Sequence, residues 1–134
     1  MLTGGCQCGA VRHAVVAVPS RVHVCHCTDC RAQSGLAFGI SGIVPPAAVR
    51  LTQGTPRVRS RRTASGKVLA CAFWPDCGSR VWHRNDPDGP EMAIKGGSLD
   101  DPVDLTCASC IWTRSKLPGV VSPPGVKQFP QDHD

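Results

Sequence analysis

Tyrosine is absent from this 134-residue chain, and only six aromatic side chains, Phe38, Phe73, Phe129, Trp74, Trp82 and Trp112, are available to fill a core. So small an aromatic complement implies a modest interior that a metal ion or another cross-link would usefully supplement. Long hydrophobic runs are missing as well. Apolar stretches such as AVVAV are far shorter than a membrane span, and the opening MLTGGCQCGA has no basic start followed by an apolar segment. The expectation is a soluble, cytoplasmic protein with no membrane partner. There is no internal repeat, coiled-coil heptad or low-complexity block, and the length predicts a single domain over 1–134, with a core at about 4–118 and an irregular tail at 119–134.

What is abundant is punctuation and sulfur. Twelve prolines and fourteen glycines cut the chain into short pieces. Strand-like runs fall at 10–18, 36–44, 49–54, 56–62, 67–74, 79–84 and 91–96, each bounded by Gly, Pro or Asp. One short helix is predicted from Thr28 or Asp29 as N-cap to about Ser34, with Gly35 as its stop. The fold class is mainly β, with short strands, one helix and its thiols on turns.

The net charge is +5, with Arg57, Arg59, Arg61 and Arg62 concentrated in RVRSRR. In a strand the first three share one face. The plain reading is a charged edge strand that resists aggregation; the sharper one is a docking face for an acidic small molecule or for phosphates. Without interleaved aromatics or a known motif, a nucleic-acid partner is not expected.

The nine cysteines are odd in number, and their C-x-C and C-x-x-C spacings would strain local disulfides but suit a shared ion. In CHCTDC, Cys25 and Cys27 lie on one face if extended and Cys30 follows a short turn, so three sulfurs can converge at Zn–S distances of ~2.3 Å. A small buried hydrophobe is a fair reading of one Cys, not of three at this spacing. A second set is scattered. Cys6 and Cys8 stand in GGCQCG beside glycines that admit close backbone approach, and Cys77 lies in the knuckle-like turn WPDCG, where Trp74 occupies the position three residues before it. Cys107 and Cys110 form another C-x-x-C, read as packed thiols on a strand entering Ile111 and Trp112.

GGCQCG, VCHCTDCRAQSGLAF, the F-x-x-x-C-G-S turn from Phe73 to Ser79, GGSLDDP and IWTRSKLP occur in this order between Gly4 and Pro118, within a resemblance that runs from Gly4 to about Pro130. Together they resemble the glutathione-dependent formaldehyde-activating enzyme family, which includes centromere protein V. The resemblance implies a β-tent zinc-binding fold of short antiparallel strands and two zinc sites. One is Cys25, Cys27 and Cys30; the other, structural, is Cys6, Cys8 and Cys77, its fourth ligand lost at Trp74. Gly119 is a further departure, standing where such sequences often carry an aromatic residue.

Three protein ligands with an open position describe a catalytic zinc, whereas four describe a structural one. Three thiolates outweigh the ion's charge, so the site is poor at acidifying water and better suited to holding a substrate thiol as thiolate. The activity implied by the resemblance is that of an S-(hydroxymethyl)glutathione synthase, a carbon–sulfur lyase adding glutathione to formaldehyde or a related small aldehyde, with Cys25, Cys27 and Cys30 as catalytic ligands. The alternative is a non-catalytic, zinc-stabilised binding module, and family membership leaves the thiol and aldehyde open.

The other candidates are lesser ones. His26, between two ligands, should face away from them and act beside the ligands or at the surface; His83 is weaker still; and Asp100 and Asp101 in GSLDDP read as turn formers. At the second site Cys71 should be carried off to the opposite strand face. That leaves either a weak three-thiol zinc with water or a borrowed thiol, or an indole filling the space by burial worth about 1.5–3 kcal/mol.

Overall fold

A computed structural model describes residues 1–132. In chain order its regular elements are β1 (Leu2–Gly5), β2 (Arg12–Val15), β3 (Arg21–Cys25), α1 (Thr28–Ser34), β4 (Gly39–Val44), β5 (Val49–Gln53), β6 (Arg57–Arg62), β7 (Val68–Phe73), β8 (Arg80–Asn85), β9 (Met92–Lys95) and β10 (Ser109–Ile111). The fold is mainly β, as expected, with one α-helix. Three strands pair in the order β1-β2-β5 and seven in the order β10-β3-β4-β9-β8-β7-β6. Among these strands every pairing is antiparallel, in line with the expected short antiparallel strands, except β10 on β3, which is parallel.

Alternating or apolar sequence explains the strands from β5 to β9, whose bounds lie within one or two residues of the predicted runs. Two strands were not expected. β1, LTGG, has little strand propensity, yet its glycines are needed there: a Cβ on Gly4 would stand 2.2 Å from the Ser98 carbonyl oxygen, and one on Gly5 2.1 Å from that of Val11. β3, RVHVC, alternates correctly but is overshadowed in sequence by its cysteines. The run at 10–18 shrinks to Arg12–Val15 because the chain leaves the sheet, exposing Val16 and Val18.

The core fills the space between the sheets. Val15 from the small sheet meets Val44, Met92 and Ile94 from the large one, with Leu2, Val49, Trp82 and Leu99 packed around them. β9, central in the large sheet, is buried at all four positions, including Lys95 at its end. A second cluster, Cys6, Val11, Ala72 and Val81, takes Trp74 and Trp82 onto its flank.

The two edges of the large sheet differ. The tail was expected to be irregular and is mostly so, yet it lies along β10. Cys110 N–H donates to the Lys127 carbonyl, Phe129 N–H to Cys110, and Trp112 N–H to Gln131. At the other edge β6 pairs with no strand of the described residues on its outer side. Arg57, Arg59 and Arg61 share its face opposite Phe73, Cys71 and Leu69, as the alternation predicted, and exposed Arg57 and Arg59 fit the charged-edge reading.

Candidate metal centres

Cys25 ends β3, Cys27 caps α1 and Cys30 occupies the helix's first turn, and their sulfurs lie within 4.8 Å of one another. The helix cap was expected at Thr28 or Asp29. The Cys27 sulfur takes that place, accepting the Cys30 backbone N–H at 3.3 Å, which shifts the start by one residue and draws two of the sulfurs together. Gly35 ends the helix in the left-handed region at φ 66°, as predicted.

Without a cation the three thiols must share protons. Hydrogen bonds from Cys25 and Cys30 pull the Cys27 thiol far below the usual range, while that with Cys27 drives the Cys25 thiol upward. Like charges this close cannot all ionise unless a positive charge sits among them. A tetrahedral zinc with ~2.3 Å bonds separates its sulfurs by about 3.8 Å, a spacing compatible with three sulfurs that all lie within 4.8 Å of one another.

These sulfurs open onto a cavity of about 370 Å³ that also presents Arg61, Arg80, His83 and Lys95. Its size is in the range for small-ligand sites. Lys95, 7% exposed, is held below the ordinary lysine range by burial, while the thiols of Cys30, Cys71 and Cys25 act in the other direction. His83 is pulled down to about 3, first by burial and then by the charges of Lys95, Arg80 and Arg61, so its imidazole is neutral at physiological pH. Arg61 pairs with Asp29 of α1 at 3.1 Å. The far wall includes Trp112, whose indole N–H donates to Asp132 of the tail at 2.7 Å.

The second trio joins residues remote in sequence. Cys6 and Cys8 Sγ lie 3.6 Å apart, and Cys77 completes a group with all three sulfurs within 4.8 Å. Val11 N–H donates to Cys6 Sγ at 3.2 Å, and Ser79 Oγ lies 3.5 Å from Cys77 Sγ, holding that thiol down to about 6. The Cys77 turn closes through Gly78 N–H to the Trp74 carbonyl at 2.7 Å, with Gly78 at φ 78°. The backbone of a metal knuckle is therefore present. Residue 74 offers an indole, which packs beside Cys6, Val11, Ala72 and Val81.

The family model of glutathione-dependent formaldehyde-activating enzyme matches residues 1–115. The chain belongs to that family. A crystal structure of a Rhodobacter sphaeroides protein has a similar fold, with a TM-score of 0.56 at 18% identity, covering 95% of this chain and 98% of the other. Both sulfur trios fall within the matched span, and either could hold a metal ion such as zinc.

The formaldehyde-activating enzyme fold treats the remaining candidates unequally. His26 is not at the surface: it is 1% exposed, with its ring edge-on to Phe38 at 5.7 Å. Asp100 is structural, its carboxylate bonded to Arg12 and to the Thr3 hydroxyl and pulled down to about 2 by the arginine, while Asp101 is exposed. Cys110 packs with Val24 and Ala108, but Cys107 is exposed in the preceding turn, which corrects the reading of both as packed thiols. Cys71 is apart from the Cys6 trio, as expected, and lines the Cys25 cavity instead.

Lys95 and Arg80 were missed by sequence reasoning and His83 was underweighted. The available signal for Lys95 was a charge closing an otherwise apolar strand, MAIK; a buried Lys usually has a role.

Proposed function

We propose that this chain is a zinc-dependent carbon–sulfur lyase that adds glutathione to formaldehyde or a related small aldehyde, with Cys25, Cys27 and Cys30 holding the catalytic ion. The observation that carries this reading is the trio itself: three converging sulfurs, no fourth metal-ligating side chain among the described residues, and a cavity of about 370 Å³ at the vacant side. Zinc bound there would supply the Lewis acidity that keeps a substrate thiol ionised, the form that attacks carbonyls. The thiolate sulfur forms the C–S bond, the C=O electron pair moves onto oxygen, and that oxygen takes a proton to give the hydroxymethyl thioether. The chain's cations serve this sequence at two points.

Lys95, buried beside the thiols, stabilises the negative charge gathering on the aldehyde oxygen, and it does so in a site shielded from water. Lys95→Met, which keeps the volume, should lower kcat by about 10²–10³-fold with a smaller change in KM. Lys95→Arg should recover part of it. A loss confined to KM would assign Lys95 to substrate binding.

Glutathione carries two carboxylates, and Arg61 is the arginine of β6 that lines the cavity. Arg61→Ala should weaken glutathione binding more at low salt than at high, because screening acts beyond ~8 Å at physiological ionic strength, and Arg59→Ala should change it little. Calorimetric titration at two salt concentrations separates the variants; equal effects would place the carboxylate contacts elsewhere.

The reading as a whole is tested by exchange NMR on mixed glutathione and formaldehyde. The protein should speed exchange between free thiol and adduct above the uncatalysed rate. Exchange equal to buffer alone would return the chain to a zinc-stabilised binding module.

A further inference from the structure

We propose that the Cys6, Cys8 and Cys77 trio forms a metal centre with one coordination position open to a ligand from outside the chain, and that this position takes a small anionic thiol. The proposal requires a metal at this trio but no turnover at the other.

The donor set is built for a soft cation. Three sulfurs lie within 4.8 Å of one another, and Val11 N–H donates to one of them, as second-layer groups around thiolate metal sites commonly do. Among the described residues the chain groups no fourth donor with these three sulfurs. Residue 74 occupies the knuckle position with its backbone, through the hydrogen bond to Gly78, while its indole lies in the apolar cluster with Ala72 and Val81. Cys71, the other thiol of this hairpin, is 1% exposed and lines the other cavity. The Ser79 hydroxyl is already engaged, accepting the Gln7 N–H at 3.0 Å and bonded to Cys77 Sγ.

The trio also faces space. Cys6 and Cys77 line a cavity of about 710 Å³, and Cys8 is exposed. In this cavity Arg12 is tied to Asp100 and Lys95 interacts with the Cys25 and Cys30 thiols, which leaves Arg80 as the charge without an opposite partner in its wall. A ligand that is soft at one end and anionic at the other satisfies both the metal and that wall. When such a thiol binds, its sulfur joins the metal and its proton leaves to solvent.

The test uses the full chain with cobalt in place of zinc, since cobalt reports its ligands in the visible spectrum. In Cys25→Ser/Cys27→Ser protein only the Cys6 trio remains. Titrating it with glutathione should raise the sulfur-to-cobalt charge-transfer absorption saturably, and adding Trp74→Cys to the same background should abolish the change. If the double variant fails to fold, the otherwise unsubstituted protein gives the same answer: about two glutathiones per chain on cobalt with Trp74, and about one with Trp74→Cys. A spectrum indifferent to glutathione with Trp74 in place would overturn the proposal, with Ser79 then the first internal ligand to examine. Absence of cobalt from the trio would overturn it as well. A chain that binds this second thiol yet fails to speed adduct formation would sink the lyase reading alone.

Discussion

Cys30→Ser protein should emerge from purification with one zinc fewer than its parent and should exchange glutathione and formaldehyde no faster than buffer. The substitution nearly conserves volume, and the Cys30 backbone N–H still reaches Cys27 Sγ, so α1 has no reason to unfold. What changes is chemistry. A serine hydroxyl does not ionise in the range where a thiol does, and two remaining sulfurs cannot close a site that already lacks a fourth protein ligand among the described residues. Changes one layer further from a metal cost 10–100-fold in affinity, so loss of a direct ligand should exceed about 100-fold. Elemental analysis and exchange NMR on the same preparation check both halves. Equal zinc in the variant and the parent would remove Cys30 from the site. Reduced zinc with undiminished exchange would separate the metal from the reaction.

Trp74→Cys should move stability in opposite directions with and without metal. Stripped of zinc, the variant loses the indole that covers Cys6, Val11, Ala72 and Val81. Full truncation of a buried Trp costs about 3–5 kcal/mol, and this half-buried one should cost less, lowering Tm by on the order of 5–10 °C. With zinc the sign reverses. A structural zinc on four ligands contributes an apparent ~10–16 kcal/mol in small domains, and completing the set recovers enough to exceed the lost burial. The parent should therefore carry fewer than two tightly held zincs per chain, the variant should approach two, and the variant should better resist a chelator. Thermal melts with and without EDTA, alongside metal analysis, read the crossing directly. A parent already holding two chelator-resistant zincs would mean that a ligand outside the three cysteines has been recruited.

Local spacing was the most legible feature. Cys25, Cys27 and Cys30 meet because so few bonds separate them that any compact turn brings their sulfurs together, and Gly35 ends the helix because it enters the left-handed region without strain. The strands from β5 to β9 were readable for a similar reason, since alternation and turn residues act within a few positions. β1 was not, because its glycines answer to the Ser98 and Val11 carbonyls, groups that no local pattern reveals.

By itself, then, the sequence determined the short-range chemistry: a mainly β chain, a three-thiol cluster with room for a fourth ligand, and a knuckle turn whose fourth cysteine is a tryptophan. Tertiary structure decided the rest. Register across the large sheet put Lys95 and His83 on the wall of the cavity that the thiols of Cys25 and Cys30 line, and pairing at its edges laid the tail along β10 while leaving Arg59 outside the cavity and Arg61 on its wall. The physical reason is that strand pairing joins residues by hydrogen-bond register rather than by sequence distance, so a charge at the end of an apolar strand gains its meaning from the strands on either side.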